Sequence, residues 1–316
     1  MMLGFLLLFF GGEILVRGAV SLSLKLRIST LVIGMTVVSF ATSAPELFVS
    51  LQAIFNNSSN IALGNTIGSN IANITLVLGV TAMICKVQIP KKISSFNYPF
   101  LLFSSLLLGF VLYFFNGITL FFGLLFIALL LLFTCFLILD SLKSDNKSSV
   151  NENEILDNGT SLGLTKSIFF LFFGVVMLKY GADLLVDSCQ LIAKDLGISD
   201  RIIAVTVFSF GTSVPELATS VIAALKKENN LAIGNLVGSN IFNVFAVLGI
   251  TACFKEINID DAAILSFDYL FMISITLFLG LLIYGFSKKE ISKKEGFILL
   301  IIYLSYICIN IFNAAV

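Results

Sequence analysis

Two acidic residues stand in segments that read as buried in a membrane: Glu46 in "ATSAPELFVS" (41–50) and Glu216 in "GTSVPELATS" (211–220). A carboxylate deep in a span costs at least ~2.5 kcal/mol even on lenient insertion scales, and such groups are functional by default. Ser39, Thr42, Ser43, Glu46 and Ser50 recur at three- and four-residue spacing and so share one helical face; Ser209, Thr212, Ser213, Glu216 and Ser220 repeat the pattern. Pro45 and Pro215 have no N–H, which releases a carbonyl one turn earlier (that of Ala41 in the first copy) and bends the helix there. Proline bends and back-bonded hydroxyls are common packing features of membrane helices. The paired acids are what point to a site.

A second motif also occurs twice, as "GNTIGSNIANITLVLG" (64–79) and "GNLVGSNIFNVFAVLG" (234–249). Its glycines form GxxxG packing ridges. Asn65, Ser69 and Asn73 fall at i, i+4 and i+8, a polar stripe beside the ridge. A close approach of this helix to the bent one brings its oxygens to the glutamates. The gathered donors are the carboxylates of Glu46 and Glu216, the amides of Asn73 and Asn243, the hydroxyls of Thr42, Ser43, Ser69, Thr212, Ser213 and Ser239, and the released carbonyls. No sulfur or imidazole is among them. Hard oxygen ligands suit Ca²⁺, smaller subsets suit Na⁺, and the set alone does not separate Ca²⁺ from Mn²⁺.

The elements that carry these residues follow from composition. With 58% hydrophobic residues, 12% charged residues and a mean hydropathy of +1.04, the chain departs from the charged fraction of about 25% in soluble domains. It reads as an all-α, polytopic integral membrane protein. Apolar runs long enough for ~30 Å of hydrocarbon, about 20 residues each, lie at 2–24, 30–55, 61–84, 97–115, 117–140, 164–193, 201–225, 231–254, 263–286 and 296–313, which makes ten spans. The first lacks a basic leader and contains Glu13 and Arg17, so it reads as a helix and not a signal peptide. The five cysteines show no paired spacing and histidine is absent. Imidazole relays, Ser-His or Cys-His catalysis and His-ligated metals are thereby excluded.

Alternate loops collect most of the basic residues, including Lys25, Arg27, Lys86, Lys91, Lys92, Lys143, Lys147, Lys166, Lys226, Lys227, Lys288, Lys289, Lys293 and Lys294, against Lys194, Arg201 and Lys255 on the other side. The positive-inside rule makes the richer side cytoplasmic and leaves both termini outside. The polar stretch 141–163 then reads as a flexible cytoplasmic linker between a first five-helix unit, 1–140, and a second, 164–316. A shift of 170 residues superimposes Glu46 on Glu216, Ser69 on Ser239 and Asn73 on Asn243, with 23 of 46 positions identical between 34–79 and 204–249. Equivalent points are five spans apart, an odd number, so the second copy is inverted. Inverted repeats mark transporters with a site near mid-membrane.

The quoted pairs of motifs, with "GGEILVRGA" in the first span, resemble the alpha repeats of the cation/calcium exchanger superfamily, in its prokaryotic sodium/calcium exchanger branch. The resemblance covers nearly the whole chain. It implies ten helices in two inverted five-helix halves, with one Ca²⁺ site and several Na⁺ sites between spans 2, 3, 7 and 8. It makes Glu46 and Glu216 the shared ligands, completed by Thr42, Ser43, Ser69, Asn73 and their counterparts, and it assigns the carbonyls of Ser39 and Ser209 to outer Na⁺ sites. It further implies a prokaryotic inner membrane, no cofactor, no nucleic acid or protein partner, and transport by a monomer.

Three positions depart from that pattern. Ala41 replaces the usual glycine, Asn243 replaces an aspartate common in potassium-dependent relatives, and the linker is too short for Ca²⁺-sensing domains. With Asn243 neutral the empty site carries about −2, so one Ca²⁺ brings it near 0 and three Na⁺ near +1, an electrogenic and K⁺-independent exchange. A calcium/proton exchanger of the same fold is the alternative. A cation channel fits less well, because two inverted copies in one chain indicate alternating access and not a pore ring. Glu13 with Arg17 and Lys179 with Asp183 read as i, i+4 structural ion pairs, with a gating role as the alternative.

Overall fold

The computed structural model describes residues 1–145, 162–195, 209–259, 261, 263–286 and 290–315. Twelve helices follow in order: α1 Met2–Leu26, α2 Thr30–Thr42, α3 Ala44–Phe55, α4 Ser59–Ile84, α5 Ile93–Phe115, α6 Leu120–Asp145, α7 Leu164–Asp195, α8 Ser209–Thr212, α9 Val214–Leu225, α10 Asn229–Phe254, α11 Ile264–Gly285 and α12 Lys293–Ala315. Among the described residues, eight of these are each long and apolar enough to cross a membrane, and α2 with α3, bent by 40°, make one further broken span. The expected span 201–225 is described from Ser209 onward as α8 and α9; its residues 201–208 lie outside the described residues, as does most of the expected linker. The α6 helix runs on to Asp145, into the stretch read as linker.

The prolines act at helix starts, not inside a continuous kinked helix. Ser43 (φ −83°, ψ 3°) and Ser213 (φ −88°, ψ 0°) interrupt the α-helical path, and α3 and α9 restart with Pro45 and Pro215 in their first turn. An N–H is unsatisfied at those positions anyway, so proline costs nothing there.

Short contacts between loops sort the chain into two ends. At one end β1 (Val87–Gln88) pairs antiparallel with β4 (Glu290–Ile291), Lys86 bridges to Glu290, Lys92 to Asp140, and the Ser29 N–H donates to the Ser141 hydroxyl. At the other end β2 (Gly117–Ile118) pairs with β3 (Ile257–Asn258), and Lys255 donates to Asn57. Among the described residues, the connections that make these contacts alternate ends along the chain, as repeated crossings require.

The halves interlock by exchange. The α1 and α7 helices run antiparallel with glycines facing backbone: a Cβ on Gly4 would lie 2.9 Å from the Gly181 carbonyl, and one on Gly174 would lie 2.9 Å from the Gly11 carbonyl. The 170-residue shift carries Gly4 to Gly174 and Gly11 to Gly181, so these two contacts are images of each other. Tyr98 of α5 donates to the Thr276 carbonyl of α11 at 3.0 Å, and Tyr269 of α11 returns the bond to the Ser105 carbonyl at 3.2 Å. Of the strands, the shift carries β1 onto β3, and each of these pairs with a strand of the opposite half. Pairing each element with the image of its neighbour gives the inverted duplication a shared core. The outward faces carry exposed Phe5, Phe9, Leu106, Phe110, Leu131 and Phe172, the composition of a lipid-facing surface.

Around the centre the GxxxG ridge of α10 seats on α2. Cβ atoms on Gly234 and Gly238 would fall 2.6 Å from the Leu31 carbonyl and 2.7 Å from the Met35 Cα. Among the described residues nothing lies within 4 Å of the corresponding positions on Gly64 and Gly68; the images of Leu31 and Met35 are residues 201 and 205, outside the described residues. Close backbone approach without side chains is what holds such helices together in lipid. A Gly11→Val change places a Cβ 2.8 Å from that of Met177 and 3.0 Å from the Leu178 nitrogen. It is expected to cost about 1–3 kcal/mol, read as a lowered melting temperature of the detergent-solubilised protein.

Candidate functional site

Glu46 and Glu216 are the third residues of α3 and α9, and both are fully buried. A helix N-terminus favours a negative charge in its first turn, which is how the restart after each break accommodates an acid. Neither glutamate has an ion-pair partner among the described residues. Glu46 Oε1 receives the Ser69 hydroxyl at 3.4 Å. Its Oε2 and both oxygens of Glu216 have no hydrogen-bond partner among the described residues.

Each acid also has hydroxyls of the opposite half beside it. The hydroxyls of Thr42 and Ser43 stand beside Glu216, and that of Thr212 beside Glu46. The two carboxylates are close enough to interact electrostatically. Thr42 contacts the Ser239 hydroxyl at 3.3 Å, and the image of that pair, Thr212 with Ser69, is also at 3.3 Å. Asn73 and Asn243 each open a π-helical turn, Asn73–Val77 in α4 and Asn243–Leu248 in α10. The first packs on α9 and the second on α3. Such turns recur at functional sites.

More than half of the buried polar side-chain atoms that lack a partner among the described residues belong to these same residues. They include Ser43 Oγ, Glu46 Oε2, both amide atoms of Asn73, Ser213 Oγ, both oxygens of Glu216 and Asn243 Oδ1. An unsatisfied buried polar atom costs about 1–3 kcal/mol, so a cluster of oxygens left in that condition is chemically a cage for a cation. Among the described residues no three His, Cys, Asp or Glu side chains come together. The charge available to such a cage is thus two carboxylates, with neutral oxygens for the rest.

The other expected positions have their own partners. The Ser39 hydroxyl donates to the Gly34 carbonyl at 2.7 Å and to the Asn235 carbonyl at 3.0 Å, tying α2 to α10, while its carbonyl accepts the Ser43 N–H at 2.9 Å. Ser209 is the first described residue of α8. Asn65 donates to the Glu46 carbonyl and to the Ser50 hydroxyl, each at 3.0 Å, and its image Asn235 donates to Ser220 at 3.3 Å. A cavity of about 110 Å³ between the α2/α3 break and α7, walled by Thr42, Pro45, Phe48, Val175, Lys179 and Pro215, reaches the site's edge.

A family model described as sodium/calcium exchanger protein matches residues 1–139 and 166–312. The chain belongs to the sodium/calcium exchanger protein family. Similar members include the putative antiporter CaxA of Alkalimonas amylolytica, 33% identical over 96% of this chain and 95% of the relative, and the sodium/calcium exchanger MaX1 of Methanosarcina acetivorans, 30% identical over 98% and 97%. Among solved structures, the sodium-calcium exchanger NCX_Mj soaked with 2.5 mM Na⁺ and 0.1 mM Ca²⁺ superimposes with a TM-score of 0.80 at 28% identity, over 98% of this chain and 96% of that one. The chain is accordingly a multi-pass membrane protein of a transporter family.

Asn70 and Asn240 were not among the expected site residues, yet Asn70 accepts the Asn243 Nδ2 group and donates in turn to the main-chain carbonyl of Asn240. They lie one position beyond Ser69 and Ser239, off the polar stripe. Their signal was identity between the two copies. The Glu13–Arg17 and Lys179–Asp183 pairs form at 2.6 and 2.7 Å, and Glu13 has a further partner in Lys226 at the end of α9, at 3.1 Å. The image of Lys226 is Asn56, so this cross-link exists in one half only.

A cation that enters this cage satisfies atoms that are otherwise orphaned. Ca²⁺ at about 100 times its Kd is expected to stabilise the protein by about 2.7 kcal/mol, seen as a rise in melting temperature by scanning calorimetry. The Glu46→Gln, Glu216→Gln double variant is expected to melt higher than wild type in ion-free buffer and to lose the Ca²⁺-dependent rise.

Proposed function

We propose that the chain is a sodium/calcium antiporter, a secondary active transporter that moves Ca²⁺ across the membrane in exchange for Na⁺ by alternating access. The observation that carries this reading is the cluster of unpartnered oxygens on Glu46, Glu216, Ser43, Ser213, Asn73 and Asn243, drawn from both halves of an inverted fold. In this reading the two glutamates are ligands common to both ions. The hydroxyls of Thr42, Ser43, Ser69, Thr212, Ser213 and Ser239 and the amide oxygens of Asn73 and Asn243 complete the shells, and the Ser39 and Ser209 carbonyls serve outer Na⁺ sites.

The charge of the cage dictates the coupling. Uncompensated buried charge is strongly unfavourable, on the order of 3–5 kcal/mol for a broken buried pair, so an empty cage with about −2 resists being closed off from water. One Ca²⁺ or two to three Na⁺ neutralises it and permits the crossing. Because both ions need Glu46 and Glu216, they cannot be bound together, and the carrier exchanges them. Loaded charges near 0 with Ca²⁺ and near +1 with three Na⁺ make the cycle electrogenic. With Asn243 neutral there is no third carboxylate to hold a K⁺, which makes exchange K⁺-independent.

The working units are 1–140 and 164–316, joined by 141–163, and the two segments matched by the family model support that division. The lysine-rich end, which bears Lys86, Lys92 and the β1–β4 pair, faces the cytoplasm under the positive-inside rule. Both termini then face outward from a prokaryotic cell membrane. All proposed ligands lie in one chain, so a monomer suffices for transport. The test is ⁴⁵Ca²⁺ uptake into Na⁺-loaded proteoliposomes, with K⁺ and pH gradients varied separately. Uptake is expected to require internal Na⁺, to ignore K⁺ and to drop to protein-free background in Glu46→Gln and in Glu216→Gln. Uptake driven by a pH gradient without Na⁺ would contradict the reading in favour of a proton exchanger.

A further inference from the structure

Asn243 is an amide at a position where a cation needs an oxygen, and an amide can present either its carbonyl oxygen or its NH₂ group. The wrong face would turn two N–H donors toward the ion. The bonds around it remove the ambiguity. The main-chain carbonyl of Asn240 can only accept, and Asn70 Nδ2 reaches it at 3.3 Å, so that end of the Asn70 amide is its NH₂ group. The same nitrogen lies 3.8 Å from the Met272 sulfur, a second acceptor. The other end of Asn70 is therefore its carbonyl oxygen, and it receives Asn243 Nδ2 at 3.1 Å. Asn243 Oδ1 is left as the free end, buried and without a partner among the described residues.

We propose that Asn70 is a positioning residue for ion binding, relaying the polarity of the Asn240 main-chain carbonyl to the Asn243 amide so that Oδ1 is held toward the ion. This rests on the antiporter reading above. Asn70, Asn240 and Asn243 are each at most 1% exposed, so bulk water does not compete for these bonds. The relay is one-sided. Asn240, the image of Asn70, turns its NH₂ back to the Leu236 carbonyl of its own helix at 3.2 Å, and Asn73 has neither amide atom bonded among the described residues. The relay matters only because residue 243 is an amide. A carboxylate presents oxygen whichever way it turns, so it needs no outside acceptor to orient it.

The test is a double-mutant cycle in proteoliposomes. The Ca²⁺ concentration for half-maximal uptake against internal Na⁺ is measured for wild type, Asn70→Leu, Asn243→Asp and the double variant. Removing a group that orients a metal ligand costs roughly 10–100-fold in affinity. Asn70→Leu is therefore expected to raise the half-saturating Ca²⁺ about tenfold in the wild-type background and less than about twofold in the N243D background, a non-additivity that simple loss of packing does not produce. The Ca²⁺-dependent rise in melting temperature of the same proteins should follow the same pattern. An equal rise in both backgrounds, or none in either, would overturn the proposal and leave the antiporter reading standing. Wild-type vesicles that take up no Ca²⁺ against Na⁺ would overturn that reading and the relay with it. If Asn70→Leu does not insert and fold, Asn70→Ser, too short to span from the Asn240 carbonyl to Asn243, carries the same comparison with the same outcomes.

Discussion

Two carboxylates buried together, with no basic side chain paired to either among the described residues, impose the condition that the rest of the molecule meets. Glu46 and Glu216 are fully buried and interact with one another. In a low-dielectric interior two ionised carboxylates so placed are unstable unless a metal cation or a proton neutralises them or the helices part to admit water. The polar residues around the acids relieve this only in part. Ser43, Ser213 and Asn243 each keep an oxygen without a partner among the described residues, and the Ser69 bond to the Glu46 carboxylate is long at 3.4 Å. A site built to be satisfied by its own side chains would have closed these bonds.

The scaffold converts that local condition into symmetry. Each broken helix offers a helix start where an acid is tolerated, and each acid faces hydroxyls from the other half: Thr42 and Ser43 beside Glu216, Thr212 beside Glu46. The same exchange governs the periphery, where α1 packs on α7, Tyr98 bonds α11 while Tyr269 bonds α5, and the strands pair across halves. Among the described residues some contacts depart from the symmetry. Lys226 reaches Glu13 where its image is Asn56, and the Asn70–Asn243 bond has no counterpart from Asn240 to Asn73 among the described residues. A carrier with inverted halves passes between two related conformations, and unmatched contacts of this kind are where one structure differs from its mirror.

Much of this was legible in the chain itself. Among the described residues the apolar runs foretold the helices to within a few residues, because lipid permits few alternatives to a helix, and the 170-residue shift foretold that Thr42 with Ser239 and Thr212 with Ser69 are equivalent contacts. The break at Ser43 could be read from Pro45, although its form, a helix restarting with proline in its first turn, depends on backbone angles that the letters do not state. The GxxxG ridge announced a close contact but not its partner; for Gly234 and Gly238 that is α2 of the other half. Asn70 escaped notice for a geometric reason. It is one residue off the polar stripe, about 100° around the helix, and its role appears only when α4 and α10 are seen side by side.

If Na⁺ and Ca²⁺ share one pair of acids, as proposed, the two ions must compete. Equilibrium ⁴⁵Ca²⁺ binding to the purified protein, titrated against Na⁺ at constant ionic strength, is expected to weaken steeply, with more than one Na⁺ displacing each Ca²⁺. Ca²⁺ affinity that is indifferent to Na⁺ would contradict that sharing.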